Sequence, residues 1–319
     1  MNLIGKLQPV IIIAAALLGL LLGAVTPFGA VSSGLIEVFL MMLLYILFLS
    51  IDLKQIKKSF TNIRFTLTAV AINFVFTPLF GHLLGKTFFA DSLDIRIGLL
   101  MLLVTPCTDW YLVFTGMSKG NVELGMSILP LNLILQIILM PVYLLVLIGS
   151  DVTMDVAALL GSVAMVLVIP FALSCVTKAI IQNQPKCRSF LSEQSDNLQL
   201  LFLCLAVMVM FASEGTSLID NPVLLLQMFV PLLIFFTVLF FVAQIAGRLM
   251  KFSKRDTVSL NFTTLARNSP LSLAIAVATF PDRPLISLAL VIGPLIELPV
   301  LSVVSGVLKR WNIGLTNEA

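Results

Sequence analysis

The sequence predicts an all-α integral membrane protein of about ten transmembrane helices, arranged as a five-plus-five inverted repeat. Composition is the first observation behind this: 59% of residues are hydrophobic and 11% charged, too little polar material to cover a water-soluble globule. The second is a series of apolar runs of about span length, near residues 9–26, 34–51, 65–85, 95–116, 121–149, 154–181, 197–213, 222–249, 257–280 and 284–308. The third is the distribution of charge between them. With the N-terminus inside, Lys6, Lys54, Lys57, Lys58, Arg64, Lys119, Lys178, Lys186, Arg188, Arg248, Lys251, Lys254, Arg255, Lys309 and Arg310 all fall on the cytoplasmic side. The other side receives Lys86, Arg96 and Arg283 with most of the loop acids. A cell membrane protein with both termini cytoplasmic is expected.

The first run follows one lysine and resembles a signal peptide, but further spans come at once, so it reads as an uncleaved helix. The second ends at the Lys54–Arg64 cluster. The third carries Pro78 and His82, the latter read as a polar helix-end residue. The fourth, Ile95 to Gly116, is interrupted by Thr105-Pro106-Cys107-Thr108-Asp109. A carboxylate and a broken backbone at membrane depth need protein or trapped water to satisfy them, which marks a site. Thr105 has the chemistry of an N-cap and Pro106 of a first helical residue, so Cys107 is expected in the first turn of a new half-helix. The fifth to eighth runs are plainer. Cys175 and Cys204 read as packing residues, and Asn73, Asn132, Gln136, Gln244 and Asn261 as interhelical hydrogen-bonders. The ninth breaks at Arg267-Asn268-Ser269-Pro270, and the tenth holds Glu297 between Pro294 and Pro299.

Pro106 and Pro270 are 164 residues apart, as are Pro130 and Pro294. Together with Ser269-Pro270 echoing Thr105-Pro106, this spacing predicts repeats of about 1–150 and 151–319 within one membrane domain, 1–319. Broken helices 4 and 9 would then cross antiparallel near the midplane. Arg267 has two readings. In one it is a structural partner of Asp109 or Glu297; in the other it joins two half-helix N-termini in binding an anion. Asp109 is either a first-turn acid or a titrating, ion-holding group. Glu297 has no capping role and reads as a coupling carboxylate. Cys107 is a buried hydrophobe or a ligand.

Other classes are set aside. The net charge of +3 is small and spread out, so no nucleic acid is expected. Four cysteines, with Cys187 in a loop, show no metal or disulfide spacing. One histidine and no nucleotide loop give no enzyme and no cofactor.

Pro106-Cys107-Thr108, followed after ten intervening residues by Lys119-Gly120-Asn121, resembles the fourth-helix signature of the arsenite efflux permeases, where an aspartate stands in place of Asn121. Gly293 to Val300, with Glu297, is similar to that family's last-helix pattern. Asn268 and Leu273 to Ala278 resemble its ninth-helix break. The chain departs from the family at Arg267, Asp109 and Ser269 to Ser272, where the family carries a glutamate soon after the asparagine. The resemblance is to a divergent member within the bile acid:sodium symporter superfamily, and it implies a panel domain and a core domain.

The leading expectation is a secondary transporter extruding arsenite, with antimonite as a second candidate, by proton antiport. Cys107 would be the soft metalloid ligand. Thr108, Asn268 and Ser269 would bond the substrate's hydroxyls, and Glu297 and Asp109 would couple ions. The alternative is a sodium-coupled importer of a small organic anion held by Arg267. The coupling ion is thus H+ or Na+, and a homodimer in the bilayer is an assembly open to either.

Overall fold

A computed structural model describes residues 3–25, 29–50, 61–107, 110–149, 156–181, 184–220 and 222–313. The described residues are helical apart from short breaks and turns, with no strand beyond one isolated bridge. The helices are α1 (Leu3–Val25), α2 (Gly29–Ser50), α3 (Ile63–Phe88), α4 (Leu93–Leu103), α5 (Trp110–Met117), α6 (Val122–Ile148), α7 (Val156–Ile181), α8 (Pro185–Asp220), α9 (Pro222–Leu249), α10 (Lys254–Leu265), α11 (Ser269–Thr279) and α12 (Pro284–Ile313). Among the described residues, α3, α6, α9 and most of α12 are each long and apolar enough to cross a bilayer. Exposed Leu, Val and Ile along α1, α3, α7 and α9 suit a lipid-facing surface and not an aqueous one. This is an all-α, multi-pass membrane protein.

The chain divides into two compact units. The first comprises the described residues of 1–52, 154–225 and 270–291, the second those of 53–153, 226–269 and 292–319.

In the first unit α1 and α2 pack on α8, and α2 on α7. The closest approach follows from Gly19-Leu20-Leu21-Leu22-Gly23, a small-xxx-small stripe that lets two backbones touch. A Cβ on Gly19 would come within 3.0 Å of the Cα of Met208, and one on Gly23 within 3.0 Å of the Cα of Ala212, each nearer still to the carbonyl oxygen. Lys178 donates to the carbonyl of Phe48 at 2.8 Å, supplying a cation and a donor to the C-terminal end of α2. Gly19→Ala and Gly23→Ala should each destabilise this unit by about 1–3 kcal/mol, since backbone cannot yield as a side chain does. Thermal unfolding of the purified protein measures this. Gly306→Ala is the control, because nothing lies within 4 Å of the added methyl there.

In the second unit, α3 shows why its proline is tolerated. Pro78 has no N–H to give the carbonyl of Phe74, and the helix widens into a π turn over Ile72–Phe76 just before it. The freed Phe74 carbonyl accepts from the Tyr143 hydroxyl at 2.6 Å, tying α6 to α3. The turn joining α5 to α6 sets Lys119 at φ 57°. Gly120 follows it, where a Cβ would fall 2.7 Å from both Thr115 Cγ2 and Val258 Cγ1. Asn121 then caps α6, accepting from Leu124 N–H at 3.1 Å, while its amide donates to Asp256 at 2.7 Å. An aspartate there would set two carboxylates against each other, so the amide fits its neighbour.

Candidate functional site

Two helices of the second unit stop in mid-course. α4 ends at Leu103 because Pro106 cannot donate to Leu102 and disfavours helix in the residue before it. α10 ends at Leu265, with Ala266 extended at ψ 139°. The two breaks pair as a short antiparallel bridge between Pro106 and Arg267. Cys107 N–H donates to Ala266 O at 2.9 Å, and Asn268 N–H donates to Thr105 O at 2.7 Å.

The last four carbonyls of each half-helix, eight in all, each have a donor: two from the backbone of the C-cap residue and six from side chains. On α4, Leu100 accepts from Val104 N–H at 3.0 Å; Met101 and Leu102 accept from the Thr105 hydroxyl at 3.0 and 3.1 Å; Leu103 accepts from Arg267 Nη1 at 2.7 Å. On α10, Phe262 accepts from Ala266 N–H at 3.1 Å, Thr263 from Asn73 Nδ2 at 3.2 Å, Thr264 from Arg267 Nη2, and Leu265 from Arg267 Nε at 3.2 Å. Arg267 Nη2 also donates to Asn73 Oδ1 at 3.2 Å. The guanidinium is 1% exposed and lies 5.4 Å from the centre of the Phe235 ring.

This geometry corrects one expectation. Thr105 does not cap a following helix, and Cys107 is not in a first turn. The Thr105 hydroxyl turns back onto the preceding turn, where Pro106 has orphaned a carbonyl, and the next described helix is α5. Cys107 is a buried cysteine outside any disulfide and outside helix. Thr108 and Asp109 lie outside the described residues, and with them the question of an Asp109–Arg267 pair. The side chain of Pro270 is likewise outside, although its helix, α11, starts one residue earlier at Ser269.

The remaining residues cluster at the same paired breaks. Glu297 is 3% exposed, and its Oε1 accepts from the backbone N–H of Arg267 at 2.9 Å. Asn268 and Ser269 are buried at the break. Gly293, one turn before Glu297, admits the close approach of α12: a Cβ there would meet Leu102 at 2.7 Å and Ser269 Oγ at 3.1 Å. Among the described residues, three expected to bond between helices do not. Asn261 Nδ2 donates within α10 to Thr257 O at 2.8 Å, and its Oδ1 has no partner there. The side-chain amides of Asn132 and Gln136 are fully buried on α6, and none of their N or O atoms has a partner among the described residues. α6 and α10 begin side by side, with Asn121 N–H donating to Arg255 O at 3.1 Å. At about 1.5 Å per residue, Asn132 therefore lies at roughly the depth of the break in α10. Asn73, also expected to bond between helices, lies within the π turn of α3, and Pro78 five residues on was the available signal in the sequence. A separate groove of about 470 Å³ between α9 and α12 is lined by groups such as Phe229, Phe236, Pro299 and Val303. It offers almost nothing to a polar solute.

Comparison with known proteins agrees in kind. The model of the Sodium Bile acid symporter family matches residues 36–221, more than half of the chain. The Arsenical-resistance protein Acr3 of Corynebacterium glutamicum is 27% identical over 247 residues, covering 73% of this chain and 66% of that protein. The chain thus spans just under two thirds of that relative's length. The Uncharacterized protein YbaS of Bacillus subtilis is 27% identical over 271 residues, 83% of this chain and 85% of its own. The Acr3 of Alkaliphilus metalliredigens is 23% identical over 280 residues, 83% and 78% respectively.

Proposed function

Because the chain belongs to the Sodium Bile acid symporter family, and is on that ground a secondary transporter, we propose that it extrudes arsenite in exchange for protons. Antimonite is a second substrate of the same chemistry. The observation that carries this reading is the buried thiol of Cys107 where two helix breaks pair. Sulfur prefers soft centres, and a trivalent metalloid hydroxide is soft, uncharged and rich in hydroxyls. One thiol allows a single transient bond, which favours release. Thr108, Asn268 and Ser269 supply hydrogen bonds to the hydroxyls. The unpartnered amides of Asn132 and Gln136, both donors and acceptors, extend that set. Glu297, with Asp109, carries the exchanged proton.

The organic-anion alternative draws on the family's description but loses its main ligand. Four hydrogen bonds already engage four of the five N–H donors of Arg267, so no two-pronged face is left for a carboxylate. In the proposed arrangement the chain crosses the cell membrane ten times with both termini inside, as two inverted halves. Cells lacking their own efflux system test the reading. Expression of the protein is expected to lower arsenite accumulation severalfold, and unchanged accumulation would remove arsenite as the substrate.

A further inference from the structure

We propose that Arg267 is a tethered cation filling a monovalent-cation site, so that transport needs no sodium ion. The site consists of oxygens from three helices. Leu103 O lies 2.7 Å from Nη1, Leu265 O 3.2 Å from Nε and Asn73 Oδ1 3.2 Å from Nη2, with Thr264 O completing the set. All four are neutral oxygens, and three are main-chain carbonyls at the C-terminal ends of α4 and α10. Unwound carbonyls and helix C-termini at membrane depth are what a transporter uses to hold a small cation, because dipole and lone pairs both favour positive charge. Here that charge is covalently part of the chain. Asn73 is oriented for the role: its Nδ2 donates to Thr263 O at 3.2 Å, which turns Oδ1 toward the guanidinium. The Phe235 ring faces the cation from 5.4 Å.

A fixed cation has a consequence that a mobile one does not. It cannot leave, so it neutralises the two helix ends in every state of the cycle and contributes no ion gradient. Removing the side chain would leave at least three buried carbonyls without donors, a vacancy that guanidinium ion or Na+ can occupy. Lysine is no substitute, since a single ammonium cannot span oxygens arranged for a planar fork.

The transport arm of the test rests on the arsenite reading; the binding arms do not. Purified Arg267→Ala and Arg267→Gln are unfolded by heat in millimolar guanidinium chloride, NaCl or choline chloride at constant ionic strength. Guanidinium, and more weakly Na+, is expected to raise the midpoint of the variants by a few degrees while leaving wild type unmoved. Wild type should bind no radiosodium, whether or not either variant folds. In proteoliposomes, wild-type arsenite flux should be the same in choline as in sodium, and guanidinium should restore flux to Arg267→Ala. Stoichiometric sodium binding by wild type, or folded variants indifferent to guanidinium and Na+ alike, would overturn the proposal. A wild type that moves no arsenite yet binds no sodium, with variants stabilised by guanidinium, would sink the substrate and leave the tethered cation standing.

Discussion

Glu297→Gln is expected to fold normally and to lose uphill efflux, by about tenfold or more, as intramembrane acids with no other role are functional by default. Glutamine keeps an oxygen where Oε1 accepts from Arg267 N–H at 2.9 Å, so the bridge between the two breaks survives. What it loses is the ability to take up and release a proton. The measurement that separates coupling from scaffolding is counterflow in proteoliposomes. If Glu297 carries the proton, the glutamine variant should still exchange internal for external arsenite while failing to concentrate it. Glu297→Ala should fail in both, because the buried Arg267 N–H then has no acceptor, a loss of about 1–3 kcal/mol visible as a lower unfolding midpoint. A glutamine variant that pumps like wild type would reduce Glu297 to a structural acceptor.

Much of this was legible from the order of residues alone. The apolar runs and the prolines marked most helices, although α8 starts at Pro185, well ahead of the run at 197–213, and takes in Cys187, expected in a loop. The structure interrupts α4 and α10 where Pro106 and Arg267-Asn268-Ser269 stand in the sequence. Depth in an apolar run was enough to single out Cys107, Arg267 and Glu297, because lipid makes such residues costly. What stayed hidden was the partner of each. Thr105 can cap the helix after it or bond back to the turn before it. The second use prevails because the carbonyls of Met101 and Leu102 are buried and otherwise orphaned. Arg267 invited a search for a carboxylate, since carboxylates are visible in a sequence. Its side-chain partners are mostly main-chain carbonyls, which every residue has and which only the fold exposes. Gly19 and Gly23 did carry a signal at a spacing of four, but only the opposed carbonyls of Met208 and Ala212 turn that spacing into a requirement.

Cys107→Ser should leave the fold intact and reduce arsenite efflux about tenfold or more, if the thiol is the soft ligand. The backbone of Cys107 does the structural work here: its N–H bonds Ala266 O at 2.9 Å whatever the side chain is. Serine preserves size and hydrogen bonding and removes only the affinity of sulfur for a trivalent metalloid. Alanine preserves neither polarity nor sulfur. The pair therefore distinguishes three roles. A thiol ligand predicts that both variants fail. A hydrogen-bonding role predicts that serine works and alanine does not, and simple packing predicts that alanine is tolerated. Cys175→Ser is the control, since that thiol is exposed and should leave efflux unchanged. Wild-type flux from the serine variant would break the link between sulfur and substrate on which the arsenite reading depends, whatever its relatives transport.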